Sequence, residues 1–291
     1  MASAQDLKRQ IQSLDNTSKM TQALQTISGI KLRKAENQLN KARPYADNVD
    51  EMMRDIANKA QTNSPLLVGR EVNRVAICTV TSDRGLAGGF NAQVLKRTMQ
   101  LRGEQDAETV QVVTGRKAEA FFRFRGIGYE EAFTGFSDSP SYEDAQRVGR
   151  YLTQLFEDEE ADEVYLIYNR YQSALVQQPV VTRLLPVAPD DDEEENGGNE
   201  EDGQSIPLEF IPGPEVLLQR LVPKYVETLL FRAFLESAAG EHGARMTAMK
   251  SASDSANEMS EDLTKQMNRM RQAQITQEIL EIVGGAEALA G

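Results

Sequence analysis

Hydrophobic and small side chains recur in steps of three and four residues near both ends of the chain, which is the spacing of one face of an α-helix. The C-terminal stripe comprises Met249, Ala252, Ala256, Met259, Leu263, Met267, Met270, Ala273 and Gln277. The N-terminal stripe comprises Leu7, Ile11, Leu14, Leu24, Ile27, Lys31, Ala35, Leu39, Ala42, Ala46, Val49, Met53 and Ile56. This pattern predicts one long helix at each end.

The length of the C-terminal helix indicates how it packs. The 60-odd residues after Pro223 contain no further proline and would span roughly 90 Å. A lone helix of that length cannot bury its stripe, so the N-terminal helix is the expected partner, in an antiparallel coiled coil. Pro44 interrupts the N-terminal helix, and because the stripe stays in phase across it, we predict a kink rather than a restart.

Strand and helix signals alternate in the middle of the chain. Strands are predicted at Asn73–Ser82, Val110–Thr114, Gly128–Phe133, Glu163–Tyr168, Pro179–Val187 and Pro207–Ile211, with helices at Asn91–Leu101, Lys117–Arg125 and Tyr142–Glu159. This alternation predicts a small, mostly parallel sheet with helices on its faces, in which Pro179–Val187 could be antiparallel. The chain is therefore expected to be an α/β protein, with a coiled coil of residues 1–60 and 213–291 around a central domain of residues 61–212.

Charge and cysteine content narrow the possible functions. The net charge is −13, and Asp190–Asp202 holds nine acids and no base, which predicts a solvated loop over residues 189–204. The basic stretch before Arg43 contains no aromatic residue, so nucleic-acid binding is not expected. Cys78 is expected to be a small, buried hydrophobic side chain. Because it has no partner for a disulfide, a reducing compartment is expected. No apolar run approaches a membrane span, so direct membrane insertion is not expected.

The glycine-rich stretch Thr81–Asn91 follows a predicted strand and precedes a helix, where a Rossmann-type enzyme binds phosphate. Gly85, Gly88 and Gly89 do not form the GxGxxG pattern, and no GK[ST] follows. A tight strand-to-helix turn is the favoured interpretation, with a protein-contact loop and a nucleotide site as the alternatives.

Catalytic and metal chemistry have little support in the sequence. His242 is the only histidine, and the positions three and four residues later hold Arg245 and Met246 rather than metal ligands. Ser82 and Asp83 could complete a catalytic triad only with a folded-back His242. We expect His242 to be a packing or surface residue, and we predict no catalytic residue, no metal site and no cofactor.

Two features of the C-terminal helix point to partners. The stretch Ser237–Ala256 is rich in alanine, glycine and serine, which lets two backbones approach closely. The end of the helix, Ile275–Gly291, is apolar with few charges and extends beyond much of the N-terminal helix. An exposed apolar helix end usually means an occluding partner.

Three stretches resemble one family, the gamma chain of the F-type rotary ATP synthase, which forms its central stalk. They are Leu7–Lys34, the TSDRGLAGGFN of Thr81–Asn91, and the run from HGARMTAMKSASDSANE through RQAQITQEILEIVGGA near the C terminus. The resemblance implies a Rossmann-like central domain that does not turn over nucleotide. It also implies a coiled coil standing inside a hexamer of alternating alpha and beta chains.

The implied mechanism is mechanical. The central domain, with the epsilon chain, would rest on the membrane ring of c chains and turn with it as ions pass. The protein would be peripheral to the cell membrane on its cytoplasmic side. An asymmetric shaft then biases each beta chain in turn between states of different affinity, so the shaft itself needs no catalytic group.

The resemblance also assigns partner contacts. Arg271 and Gln272 match positions that hydrogen-bond a loop of a beta chain, with Thr276 and Glu278 on the next turn. Lys19 and Leu24 are expected to face that region from the N-terminal helix. Arg84 in the glycine-rich loop is a further candidate contact.

One alternative function belongs to another class. A soluble Rossmann-type nucleotide-binding enzyme could use its terminal helices to oligomerise. That alternative predicts nucleotide binding by the isolated chain, whereas a rotor shaft predicts none, together with co-purification with alpha and beta chains.

Overall fold

The computed structural model describes residues 4–59, 69–187 and 214–290. The helices are α1 (Ala4–Lys59), α2 (Phe90–Glu104), α3 (Arg116–Arg125), α4 (Tyr142–Glu157) and α5 (Pro214–Ala290). The strands are β1 (Arg74–Val80), β2 (Glu108–Thr114), β3 (Glu131–Phe133), β4 (Glu163–Tyr171) and β5 (Gln177–Leu185). The predicted strand Pro207–Ile211, the acidic run Asp190–Asp202 and the predicted domain boundaries at residues 60 and 212 lie outside the described residues.

The five strands form one sheet in the order β3-β2-β1-β4-β5. All neighbouring strands are parallel except β4 and β5, which pair antiparallel. This arrangement confirms the predicted mostly parallel sheet with Pro179–Val187 as its antiparallel member. β1 and β2 end side by side, with Val80 paired to Thr114, so the loops that follow them meet at one edge of the sheet.

Helices cover both faces of the sheet because successive β1 side chains point to opposite sides. Val75 and Ile77 pack under α2, while Ala76, Cys78 and Val80 pack against α4 and α5. α3 lies on the α2 side, where Phe122 is fully buried. Cys78 is a free, fully buried thiol, and burial raises its pKa to about 12, which confirms its predicted packing role.

The chain divides into two compact units. The two-helix unit comprises residues 1–29 and 245–291, and the sheet unit comprises residues 30–244. α1 and α5 each contribute to both units.

The two helices of the two-helix unit run antiparallel. Ser18 Oγ lies 3.1 Å from Ser253 Oγ and donates to Asn257 Oδ1 at 2.7 Å, while Asp15 accepts from Ser260 at 2.8 Å. Because a lower residue number on α1 meets a higher one on α5, the predicted antiparallel pairing is confirmed.

The buried face of α1 differs from the predicted stripe around Ile27. Ile27 is 50% exposed, whereas Ser28, Thr21 and Ser18 are buried. Hydroxyls can occupy this face because they have acceptors: Ser28 donates to the Leu24 carbonyl and Thr21 to that of Ser18. Small hydroxyl side chains, rather than the larger isoleucine, therefore form this part of the helix contact.

In the sheet unit both terminal helices continue through their prolines. Pro44 lies inside α1 and Pro223 inside α5, so the alternative in which the helix restarts at Pro44 is wrong. Arg232 of α5 pairs with Asp47 of α1 at 3.4 Å. Tyr171 at the end of β4 donates to Glu36 of α1 at 2.5 Å.

A buried carboxylate closes the N-terminal end of β1. Asp162 accepts hydrogen bonds from the Asn73 and Arg74 amides at 2.8 Å each and pairs with Arg70 Nε at 2.6 Å. Burial alone would raise the pKa of Asp162, but these hydrogen bonds and the Arg70 charge outweigh burial and hold it below its usual range. The ionised carboxylate therefore stabilises the folded sheet unit.

The sign of the Asp162 effect gives a pH prediction. When the pKa of a carboxyl is lower in the folded state than in the unfolded state, its ionised form stabilises the fold. This contribution is complete at pH values above the unfolded-state pKa, and it is lost as the pH falls through the folded-state pKa. Asp162→Asn should lower the free energy of unfolding by about 1–3 kcal/mol at pH 7. We expect its deficit relative to wild type to shrink below about pH 4.

Urea unfolding between pH 7 and pH 3 measures this deficit. Asp106→Asn, at an exposed position, is the matched control and should track wild type throughout. A deficit for Asp162→Asn that is constant across this range would contradict the assigned role.

Candidate functional site

The last part of α5 exposes a run of apolar side chains. From Arg271 to Ala286 every residue is exposed, and we call residues 271–286 the tip segment. Its exposed hydrophobic residues are Ile275 (48%), Ile279 (55%), Leu280 (66%), Ile282 (71%) and Val283 (55%). Patches of this kind on soluble proteins mark surfaces that bind partners.

The register of the two-helix unit explains why the tip segment is exposed to solvent. Asp15 meets Ser260, and Leu7, further towards the start of α1, is buried. Met267 and Met270 are half-buried, whereas residues 271–286 are all exposed. By this register Ala4, where α1 begins, lies level with about Arg271, so α5 continues past α1 over most of the tip segment.

The tip segment has two chemically different faces. Ile275, Ile279, Ile282 and Val283 are spaced by three and four residues, so they share one side of the helix. Polar residues lie between them, and Gln277 donates to Glu281 at 3.0 Å. The segment is an amphipathic helix whose apolar side lacks cover within the part of the chain that the structure describes.

Four predicted contact residues lie on this segment. Arg271, Gln272, Thr276 and Glu278 are all exposed. The Thr276 hydroxyl donates to the Gln272 backbone carbonyl at 2.9 Å. Their accessibility is compatible with partner contacts, and their individual roles stay predictions.

Lys19 and Leu24 do not face that region. Ser18 meets Ser253 and Asn257, so neighbouring Lys19 lies about 20 Å along α5 from Arg271. Leu24 lies further still, because the antiparallel register continues towards Gly29, next to Met246. The expected grouping of these two residues with Arg271 and Gln272 is wrong, although Lys19 is itself exposed.

The glycine-rich loop after β1 is built around close backbone contacts. Gly88 has φ 54° and Leu86 has φ 63°, both in the left-handed region. Across the sheet edge, Gly115 has φ 86°, and a Cβ there would lie 2.1 Å from the Thr81 carbonyl oxygen. These features match the favoured interpretation, a tight strand-to-helix turn.

Asp83 lies in the loop after β1 and is bound at the start of α3, the helix that follows β2. Its carboxylate accepts from the Arg116 amide at the start of α3 (3.1 Å), and from the Gly135 and Ser137 amides (2.9 and 3.1 Å). Backbone amides at a helix start are the groups that bind anions. Here the protein supplies its own anion to the start of α3, whereas the phosphate site of a Rossmann enzyme lies at the start of the helix after the first strand, which is α2 in this chain.

From the sequence alone, Asp83 was a candidate only for a catalytic acid. Its role depends on the edge of a parallel sheet, where the loops after β1, β2 and β3 meet. Arg84 next to it is exposed, as a partner contact requires, and Leu86 is 64% exposed.

His242 is a packing residue, in agreement with the prediction. It is 1% exposed, and its Nε2 lies 3.1 Å from the Asp138 carbonyl oxygen. Lys31 Nζ pairs with the Asp138 carboxylate at 2.6 Å. Burial would raise the pKa of Asp138, but the Lys31 hydrogen bond and nearby positive charges outweigh burial and lower it. Asp138 thus links the loop before α4 to both α1 and α5.

The described residues also show what the chain offers for metal binding and for crossing a membrane. Across residues 4–59, 69–187 and 214–290, side chains of histidine, cysteine, aspartate and glutamate form no cluster of three or more suited to a metal ion. Within the same ranges, none of the helices has the apolar length needed to cross a bilayer.

Comparisons with known sequences all identify the same family. A family model described as ATP synthase matches residues 3–289. A protein of Rubrobacter xylanophilus called ATP synthase gamma chain is 62% identical, over 100% of this chain and 99% of that protein. One of the same name from Pelotomaculum thermopropionicum is 41% identical, over 99% of this chain and 100% of that protein.

Solved structures show the same fold at low sequence identity. A chain of the Euglena gracilis mitochondrial ATP synthase (OSCP/F1/c-ring) superposes with a TM-score of 0.69 at 20% identity, covering 99% of this chain and 95% of that chain. A chain of the Tetrahymena thermophila mitochondrial ATP synthase central stalk and c-ring gives 0.61 at 18% identity, covering 80% and 99%.

Proposed function

This chain belongs to the ATP synthase gamma-chain family, and from that premise we propose that it is the rotor shaft of an F-type enzyme. In this role it couples ion flow across a membrane to ATP synthesis or hydrolysis. The exposed apolar tip segment is the observation that carries the proposal. A helix end with Ile279, Leu280 and Ile282 more than half exposed requires a partner that covers it.

The partner proposed to enclose the tip segment is a ring of alternating alpha and beta chains. A single amphipathic helix inside a ring presents different side chains in different directions. Each beta chain therefore meets a different face of the shaft, and rotation shifts the populations of its states in turn. Because the contacts with the shaft differ between the states of a beta chain, rotation changes the relative free energies of those states. The shaft needs no reactive group for this.

The shaft is proposed to be non-catalytic. Its glycine-rich loop after β1 lacks the GxGxxG and GK[ST] patterns with which such enzymes bind phosphate. This supports the rotor over the alternative nucleotide-binding enzyme, and catalysis is assigned to the beta chains.

Arg271, Gln272, Thr276 and Glu278 are proposed to contact a beta chain at the base of the tip segment. Lys19 and Leu24 on α1 of the two-helix unit, and Arg84 in the sheet unit, are proposed as separate contacts. Arg84 lies beside the sheet edge, and the register of α1 puts Lys19 near Ser253.

The sheet unit is proposed to rest, with the epsilon chain, on a membrane ring of c chains. The similar fold of a chain from the Tetrahymena thermophila central stalk and c-ring supports this arrangement. The protein would then be peripheral to the cell membrane, on the cytoplasmic side.

Purification from membranes tests the proposed function. A tag on this chain should recover alpha, beta and epsilon chains and c subunits, identified by mass. Calorimetry of the isolated chain should detect no ATP binding at 1 mM, a concentration that would half-fill even a weak site with a binding free energy of about −4 kcal/mol. ATP binding together with recovery of this chain alone would favour the nucleotide-binding enzyme instead.

A charge placed on the apolar side of the tip segment gives a second test. Ile282→Glu should lower ATP-driven turnover of the complex about tenfold. The reason is that a carboxylate would have to be buried against the partner chains that enclose the apolar face. Gln274→Glu adds the same charge at an exposed polar position and should retain activity within about twofold. Equal turnover in the two variants would argue against an enclosed tip.

A further inference from the structure

The sheet unit carries a groove to which the proposed rotor role assigns no contact. The groove lies between α2 and α3 and has a volume of about 490 Å³. Ala92, Leu95, Met99 and Phe121 supply its apolar lining, and Lys96 and Arg125 stand at its rim. The lining residues come from α2 and α3 alone, so α1 and α5 do not fill the groove.

The charge around the groove is opposite to that of the whole chain. α2 and α3 together carry seven basic and two acidic residues, although the chain has a net charge of −13. Both acids are already paired, Glu104 with Arg97 and Glu119 with Arg123. Among the described residues, the rim cations Lys96 and Arg125 form no ion pair.

The side chains of the groove have the composition of a binding surface. Interface centres are enriched in aromatic residues, methionine and arginine, and this groove combines Phe121, Met99 and Arg125. The Arg125 guanidinium lies 5.3 Å from the Phe121 ring centre, so the cation is held over the apolar floor. One turn away, Phe124 is 89% exposed, which extends the apolar surface beyond the groove.

We propose that this groove docks an acidic amphipathic helix of another protein chain. The apolar floor between two helices receives one row of side chains from such a helix. The rim cations then pair with carboxylates that flank the row, and they favour an acidic partner over a basic one. A concave floor fits a helix better than the broad plane of a membrane surface.

A photoreactive phenylalanine analogue in place of Gln100, which is exposed and lines the groove, tests this in living cells. Illumination should give an adduct whose attached peptide, identified by mass, is net acidic and has apolar residues spaced by three and four. The same analogue in place of Arg150, exposed on α4, is the control position.

Charge variants then test the recognition itself. Lys96→Glu with Arg125→Glu should lower the adduct yield at least about fivefold, and Lys96→Gln with Arg125→Gln by an intermediate amount. Arg150→Glu should leave the yield unchanged, and circular dichroism melting checks that each variant is folded.

An adduct with lipid, with a basic or neutral peptide, or with a second copy of this chain would overturn the proposal. So would a yield no higher than at the Arg150 position, or a yield that does not respond to the charge variants. Recovery of alpha and beta chains in the membrane purification is independent of this groove, so the rotor role and the docking proposal can fail separately.

Discussion

A disulfide between a cysteine at Gln272→Cys and a cysteine in a beta chain should stop ATP turnover almost completely. The Gln272 side chain is exposed at the base of the tip segment, where a beta-chain loop is proposed to reach it. Rotation cannot proceed while the shaft is covalently joined to one chain of the ring. Reduction of the disulfide should restore turnover, and ATP hydrolysis measured before and after reduction follows both steps. Arg271→Cys should behave in the same way.

A disulfide inside the shaft provides the matched control. Ser18 Oγ and Ser253 Oγ lie 3.1 Å apart, so cysteines at these two positions are close enough to join α1 to α5. This bond adds a covalent link without tying the shaft to the ring, and turnover should persist. Full turnover by the oxidised Gln272→Cys complex, with the cross-link demonstrated on a gel, would contradict the coupling role of this position.

Gly115→Ala should destabilise the sheet unit by at least about 3 kcal/mol, combining backbone strain with a collision. The residue has φ 86°, and a Cβ would lie 2.1 Å from the Thr81 carbonyl oxygen and 2.6 Å from its carbon. These are backbone atoms of the turn after β1, and the Thr81 amide also donates to Thr114 in β2. The turn can move away only by breaking the sheet edge on which Asp83 depends.

Gly126→Ala separates strain from collision. Gly126 has φ 67°, but an added Cβ would meet nothing within 4 Å, so its cost should be only about 1–2 kcal/mol. All eight tyrosines of the chain lie within residues 30–244 and none in the two-helix unit. Tyrosine fluorescence during urea unfolding therefore reports the sheet unit selectively. Equal destabilisation by the two substitutions would show that the close approach to Thr81 is unimportant.

The sequence predicts the elements of this fold well because each depends on local spacing. Asn73–Ser82 was predicted as a buried strand because five of the six side chains in its run Val75–Val80 are apolar, and the structure buries all six residues of that run. The long helices follow from a stripe that repeats over many turns. The exposed end Ile275–Gly291 was predicted from its apolar, sparsely charged sequence beyond the reach of much of the N-terminal helix, and the structure leaves residues 275–286 exposed.

Relations between distant elements were harder to predict. A helical stripe fixes which face packs but not how far one helix slides along another, so Lys19 was wrongly grouped with Arg271. Ile27 matched the stripe, yet the close contact at Ser18 and Ser253 favours small hydroxyls at this level. The role of Asp83 depends on amides from two other loops, which only the assembled sheet brings together.

Single-molecule observation of the complex tests the central claim most directly. A bead can be attached at Glu157→Cys, an exposed position on α4, while the complex is fixed to a surface through its beta chains. Cys78 is fully buried and should not compete for the label. The bead should turn in one direction, in three main steps per revolution, when ATP is added. A bead that stays fixed while the same complexes hydrolyse ATP would contradict the account.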